Sequence, residues 1–164
     1  MMNRRTTLLL TLTLALSACG FKLKGLYEVP ELLQQVTLIE QSAQPSALGR
    51  ELVSQLTGSG VQIIEAAPYR LELGATRYNK RAITIGARAE ALEYELSGSV
   101  SFALYQGDST SPVLERQVSA SRNFDDNANS IALETLESRY TTELNRALAD
   151  QIVRQYLSYA PSRQ

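Results

Sequence analysis

Between residues 93 and 102 the chain alternates without a break, and Leu104 continues its apolar side. Tyr94, Leu96, Gly98, Val100, Phe102 and Leu104 take one side, and Glu93, Glu95, Ser97, Ser99 and Ser101 take the other. Successive side chains of a strand point to opposite faces, so this run demands a sheet with one buried face and one wet face. After the turn-forming stretch Gln106-Gly107-Asp108-Ser109-Thr110-Ser111-Pro112, the residues Leu114, Arg116, Val118, Ala120, Arg122 and Phe124 return as the second strand of a hairpin. Upstream, Tyr69, Leu71, Leu73 and Ala75 alternate with Arg70, Glu72, Gly74 and Thr76, which predicts another strand.

The cover for the buried face comes from two helical stretches. Ser46 is a side-chain cap for a helix whose Leu48, Leu52, Val53 and Leu56 share one face, and Gly58-Ser59-Gly60 ends it. Val36-Thr37-Leu38-Ile39 before it and Val61-Gln62-Ile63-Ile64 after it read as strands. A strand, helix and strand joined this tightly predict a right-handed unit with parallel strands. Asp125-Asp126-Asn127-Ala128-Asn129-Ser130 suits a helix start, because aspartates there favour the helix dipole. The helix predicted over 130–157 carries an apolar stripe of Leu133, Leu136, Tyr140, Leu144, Leu148 and Ile152, with Ala147 beside it. The expectation is an α+β fold. It is a two-layer sandwich, with two helices packed on one face of a mixed four- to five-stranded sheet.

The first residues read as an export signal. Arg4 and Arg5 precede an apolar core of Leu8, Leu9, Leu10, Leu12, Leu14, Ala15 and Leu16, about 11 residues and short of the ~20 that span a bilayer. Leu16-Ser17-Ala18-Cys19 is similar to a bacterial lipobox, in which the cysteine receives diacylglycerol and the chain is cut just before it. Cys19 is the single cysteine of the chain, and lipidation gives it a reason to be there. Several acyl chains, at about 0.8 kcal/mol per buried CH₂, anchor a protein firmly. Gly20 stands where an aspartate would resemble an inner-membrane retention signal, so the expected site is the outer membrane, on its periplasmic side. The expected organisation is a signal peptide over 1–18, a lipidated tether over 19–35, one domain over 36–158 and a frayed tail over 159–164.

Several function classes recede on composition. Without Arg4 and Arg5 the 16 Lys and Arg become 14, against 17 Asp and Glu, a net charge of −3 that offers nothing to nucleic acid. With no histidine, Ser-His-Asp triads and the usual general base and metal ligand are removed together. Gly58-Ser59-Gly60 lacks the lysine and spacing of a phosphate loop. Glu93/Glu95 read as a solvated strand face and Asp125/Asp126 as a helix start, so neither pair is expected to do acid–base work. No enzyme, metal or cofactor is expected beyond the covalent lipid on Cys19.

What remains is a basic group, Arg77, Lys80, Arg81 and Arg88, flanking the apolar strand-like tip Ala82-Ile83-Thr84-Ile85-Gly86. Cations beside apolar side chains can hold an amphiphile with anionic head groups. The plainer reading is a solvated hairpin whose charges protect its edge. Among eight tyrosines, Tyr94, Tyr105 and Tyr140 read as core or core edge, and Tyr78 as the interface candidate.

These pieces together resemble the LptE family of lipopolysaccharide-assembly lipoproteins. The likeness runs from Cys19-Gly20-Phe21-Lys22-Leu23-Lys24-Gly25 and Val29-Pro30 through the strand and helix to Leu56 and the Gly60-Val61 turn. It continues with Glu93-Tyr94 at the long strand and Arg122-Asn123-Phe124-Asp125-Asp126-Asn127 before the last helix. The resemblance implies a plug inside the large outer-membrane β-barrel LptD, in a 1:1 pair that delivers lipopolysaccharide to the cell surface. It also implies an anchor in the inner leaflet of that membrane and contact with lipopolysaccharide itself. Carried onto this chain, the family's basic contact positions fall near Arg88 and near the last helix. There Ile131-Ala132-Leu133-Glu134 contains no lysine, and Arg122 is the nearest cation. Lys80, Arg81, Arg88, Arg122 and Tyr78 are thus the expected contacts with lipopolysaccharide or barrel. The alternative is another small outer-membrane lipoprotein, a secretin pilotin or a cell-wall-associated module.

Overall fold

The computed structural model describes residues 29–41, 44–89, 91–125 and 130–159. The stretch expected to be a signal peptide, Cys19 and the residues from 160 lie outside them. The order is a short 3₁₀ turn (Glu31–Leu33), β1 (Gln35–Glu40), α1 (Ala47–Gly58), β2 (Gln62–Ile63), β3 (Tyr69–Leu73), β4 (Arg77–Ile85), β5 (Ala91–Gln106), β6 (Leu114–Asp125) and α2 (Ser130–Leu157).

The long alternating run is β5, and it organises the sheet. Its 16 residues reach about 50 Å at ~3.3 Å per residue. β6 pairs antiparallel along one edge, from Leu104↔Leu114 to Glu93↔Asp125. The other edge is shared end to end: β3 takes Phe102 to Gln106, and β4 takes Ala91 to Ser99. Between them residues 74–76 face only Val100 and Ser101, a bulge that bends the strand line. Gly74 N donates to Ser101 O at 2.9 Å. A Cβ on Gly74 would stand 3.0 Å from that oxygen, so the close approach needs glycine. β1 runs parallel to β3 and to β2, as in Leu38↔Leu71 and Val36↔Ile63. The sheet has six strands rather than four or five, because the stretch from Tyr69 to Ile85 breaks into two.

Both helices cover one face, as the pattern demands. Ser46 Oγ accepts from Gly49 N at 2.8 Å, and Gly60 (φ 89°) turns the chain out of α1 into β2. Leu48, Leu52 and Leu56 of α1 meet Tyr69, Leu71, Phe102 and Leu104 of the sheet and Leu148, Ile152 and Tyr156 of α2 in the main core. A smaller core lies further along, where Leu96, Phe124 and Leu144 are buried with Tyr94, Leu133 and Tyr140 against them. The rings there stack in series, Tyr94–Phe124 at 5.7 Å and Phe124–Tyr140 at 5.5 Å between centroids.

Five readings change. Val53 turns away from the core and is 39% exposed, because the sheet meets α1 along a narrower stripe of Leu48, Leu52 and Leu56. Tyr105 sits on the wet face opposite Arg70, whose guanidinium stacks 4.7 Å from its ring. Asp125 ends β6 rather than starting α2. The described part of the expected tether, 29–35, is packed onto the body: Leu33 is fully buried, and its carbonyl accepts from Tyr156 Oη at 2.8 Å. Tyr159, assigned to the tail, packs edge-on against Tyr69.

Candidate functional site

The basic group expected around residues 77–88 lies on β4 and on the turn that leads into β5. A strand sends neighbouring side chains to opposite faces, and that alone separates the cations. Lys80 pairs across with Leu96 and points to the helix face, where it forms an ion pair with Glu137 of α2. Its Nζ lies 4.4 Å from the centre of the Tyr94 ring and 5.6 Å from that of Phe124. Lys80 therefore lies against the stacked aromatics and ties α2 to the far half of the sheet. Arg81 points to the wet face and pairs with its cross-strand neighbour Glu95 at 3.0 Å. Arg88 sits in the β4–β5 turn, exposed and without an ion pair among the described residues.

Tyr78 is half-exposed, yet its hydroxyl donates to Asn145 Oδ1 on α2. Burial of that hydroxyl raises its pKa above the ordinary value. Arg122 lies across from Leu96 on β6, and its Nε stands 3.6 Å from Glu143 of α2. Of the five expected contacts, then, Lys80, Tyr78 and Arg122 face α2. Arg81 is on the opposite side, and Arg88 is apart at the tip.

Glu137 and Asn145 were not singled out from the sequence. Their signal is positional. Asn145 follows Leu144 on the packed side of α2, and Glu137 precedes the stripe residue Tyr140 by three. A polar residue inside such a stripe needs a partner on the opposing sheet. The wet face of the sheet carries Ser97, Ser99, Ser101, Ser119 and Ser121 between two ion pairs, Arg81–Glu95 and Arg70–Glu72. At the tip, Ile83, Ile85 and Leu92 are exposed, Ile85 by 59%.

Fold and surface together define a small two-layer α+β domain with a polar sheet face and an apolar, basic hairpin tip. Solved structures of the same architecture include rare lipoprotein B from Shewanella oneidensis. It has a TM-score of 0.67 at 21% identity over 76% of this chain and 94% of that one. A minor lipoprotein from Acinetobacter baumannii has a TM-score of 0.63 at 22% identity over 79% and 94%. The LptE family, described as lipopolysaccharide-assembly, matches residues 33–156. The LPS-assembly lipoprotein LptE of Yersinia pestis (strain Pestoides F) is 31% identical over 165 residues, covering 96% of this chain and 78% of that protein. This chain belongs to the LptE family.

Proposed function

We propose that this protein is a lipid-anchored plug and assembly factor for the large outer-membrane barrel LptD, acting in delivery of lipopolysaccharide to the cell surface. The observation that carries the reading is family membership across nearly the whole described domain, from Leu33 to Tyr156. The surface is in keeping with it. A wet sheet face of serines and internally paired charges suits the polar lumen of a large barrel. The lipid on Cys19 would hold the domain in the inner leaflet of the outer membrane and raise its effective concentration at the barrel. The role is one of binding and assembly, not catalysis, and it needs no cofactor.

Within this reading Arg88 and the exposed Ile83, Ile85 and Leu92 are the groups free to meet lipopolysaccharide. Arg81, Arg122 and Tyr78 are proposed as barrel contacts, and Lys80 serves from beneath by holding α2. The test is affinity purification of the tagged, lipidated protein from detergent-solubilised outer membranes, with mass spectrometry of what accompanies it. A stoichiometric barrel of several hundred residues is the expected result. Recovery of the lipoprotein alone, or with a secretin, would overturn the reading.

A further inference from the structure

The sheet has two long open edges, and the fold treats them differently. On β6 three of the outward carbonyls are covered by the protein's own side chains. Arg116 donates to Glu115 O at 3.0 Å, Gln151 of α2 to Ser119 O at 2.9 Å, and Arg122 to Ser121 O at 2.9 Å. These are odd-numbered residues, so the even ones bond to β5. On β5 it follows that odd residues serve the opposite edge, as Ser101 O does in accepting from Gly74 N. In an antiparallel ladder this alternation carries on. Ser99, Ser97 and Glu95 exchange bonds with Arg77, Asn79 and Arg81. The N–H and C=O groups of Tyr78, Lys80 and Ala82 are thereby turned to the open side of β4, where no described group meets them. All nine residues of β4 are exposed.

An unpaired strand edge of this length is a template for another strand. The charges on it decide which strand. β4 carries Arg77, Lys80 and Arg81 and no acidic residue; Lys80 and Arg81 are paired with Glu137 and Glu95, which leaves Arg77 as the strand's cation with no ion pair among the described residues. A second copy pairing antiparallel about Lys80 would set lysine opposite lysine, which is unfavourable. We propose that the open edge of β4 is a strand-addition site that receives an extended acidic segment of the barrel partner. It rests on the plug reading, and it supplies what that reading lacks: a backbone contact that fixes the domain's orientation. Backbone pairing gives such contacts affinity, and the side chains of the strand give them selectivity.

The test uses the full lipidated chain, free and as purified with its barrel, and hydrogen exchange read at single amides by mass spectrometry. In the free protein the amides of Tyr78, Lys80 and Ala82 exchange fast, while those of Arg77, Asn79 and Arg81 are protected. In the complex the first three are expected to slow by about 100-fold or more. Ala82→Pro removes an outward N–H from an edge strand, a place where proline is tolerated. It should leave the folded domain intact by circular dichroism and lower barrel recovery at least tenfold, whereas Ala82→Val should not. A barrel recovered with β4 amides still unprotected, or with Ala82→Pro bound as well as the parent, overturns this inference and leaves the plug reading standing. Absence of any barrel overturns both.

Discussion

Tyr156→Phe isolates a single atom that joins the two ends of the domain. The Tyr156 ring is fully buried, and its hydroxyl reaches back 123 residues to the carbonyl of Leu33, itself fully buried. Phenylalanine keeps the ring and its packing and leaves that carbonyl without its donor. Leaving a buried acceptor unmade costs about 1–3 kcal/mol, well above the net value of an exposed hydrogen bond. For a domain of this size the midpoint of thermal unfolding should fall by about 4 °C per kcal/mol. Urea unfolding followed by circular dichroism should show a lower midpoint with an unchanged slope, because the surface exposed on unfolding is the same. The hydroxyl also predicts alkaline behaviour. Burial first, then the neighbouring Tyr69, raises the pKa of Tyr156 above the usual 10.0. Unfolding would let the group ionise at its ordinary value. Its contribution to stability is therefore intact below pH 10 and is lost as pH rises from there through the raised folded value. Tyr156→Phe should flatten that alkaline loss, leaving the smaller share due to Tyr69 and Tyr78. A midpoint loss worth less than about 0.5 kcal/mol, or an undiminished fall above pH 10, would refute the assignment of this bond as a buried tie.

Three further outcomes follow from the packing. Gly98→Val should cost about 1–3 kcal/mol in urea unfolding, since even a Cβ there stands 3.3 Å from Leu148 Cδ1 and 3.4 Å from the Tyr78 ring. Lys80→Met keeps the aliphatic stem but removes the charge over Tyr94. It should cost about 1 kcal/mol and speed exchange in the first turns of α2 more than in α1, as amide hydrogen exchange can resolve. Cys19→Ala should move the protein from the membrane to the soluble fraction while the thermal midpoint stays within about 1 °C, because an anchor contributes to location and not to this core.

The sheet was legible wherever burial was one-sided. The β5 run and its partner β6 show their alternation because helices cover one face and water the other, and the same logic exposed the stripe of α2. It failed where that contrast vanishes. Every residue of β4 is exposed, so no period of two was written into residues 77–85, and the stretch stood out for its cations, Tyr78 and its apolar tip instead. Leu33 looked like tether because a one-turn 3₁₀ segment has too few residues for periodicity, and its burial depends on Tyr156, far away in sequence. Val53 has the spacing of a core residue, but only the final distance between α1 and the sheet decides which leucines touch it.

The basic group shows why a cluster in sequence is not a cluster in space. Arg81 follows Lys80 directly, and for that reason the pleat sends the two to opposite faces. Replacing Lys80 by an acid would set it against Glu137 and next to the faces of aromatic rings, which are themselves negative. The resulting loss would report on the attachment of α2, whatever the ligand. At Arg81 a reversal confronts Glu95, so cross-strand repulsion again mixes with any effect on binding. Arg88 stands in the turn with no ion partner among the described residues, so among them its charge can be reversed without such a conflict. Arg88→Glu is accordingly the substitution in which lost lipopolysaccharide binding, measured beside an unchanged thermal midpoint, speaks for the ligand alone. Combining all three reversals would erase that distinction.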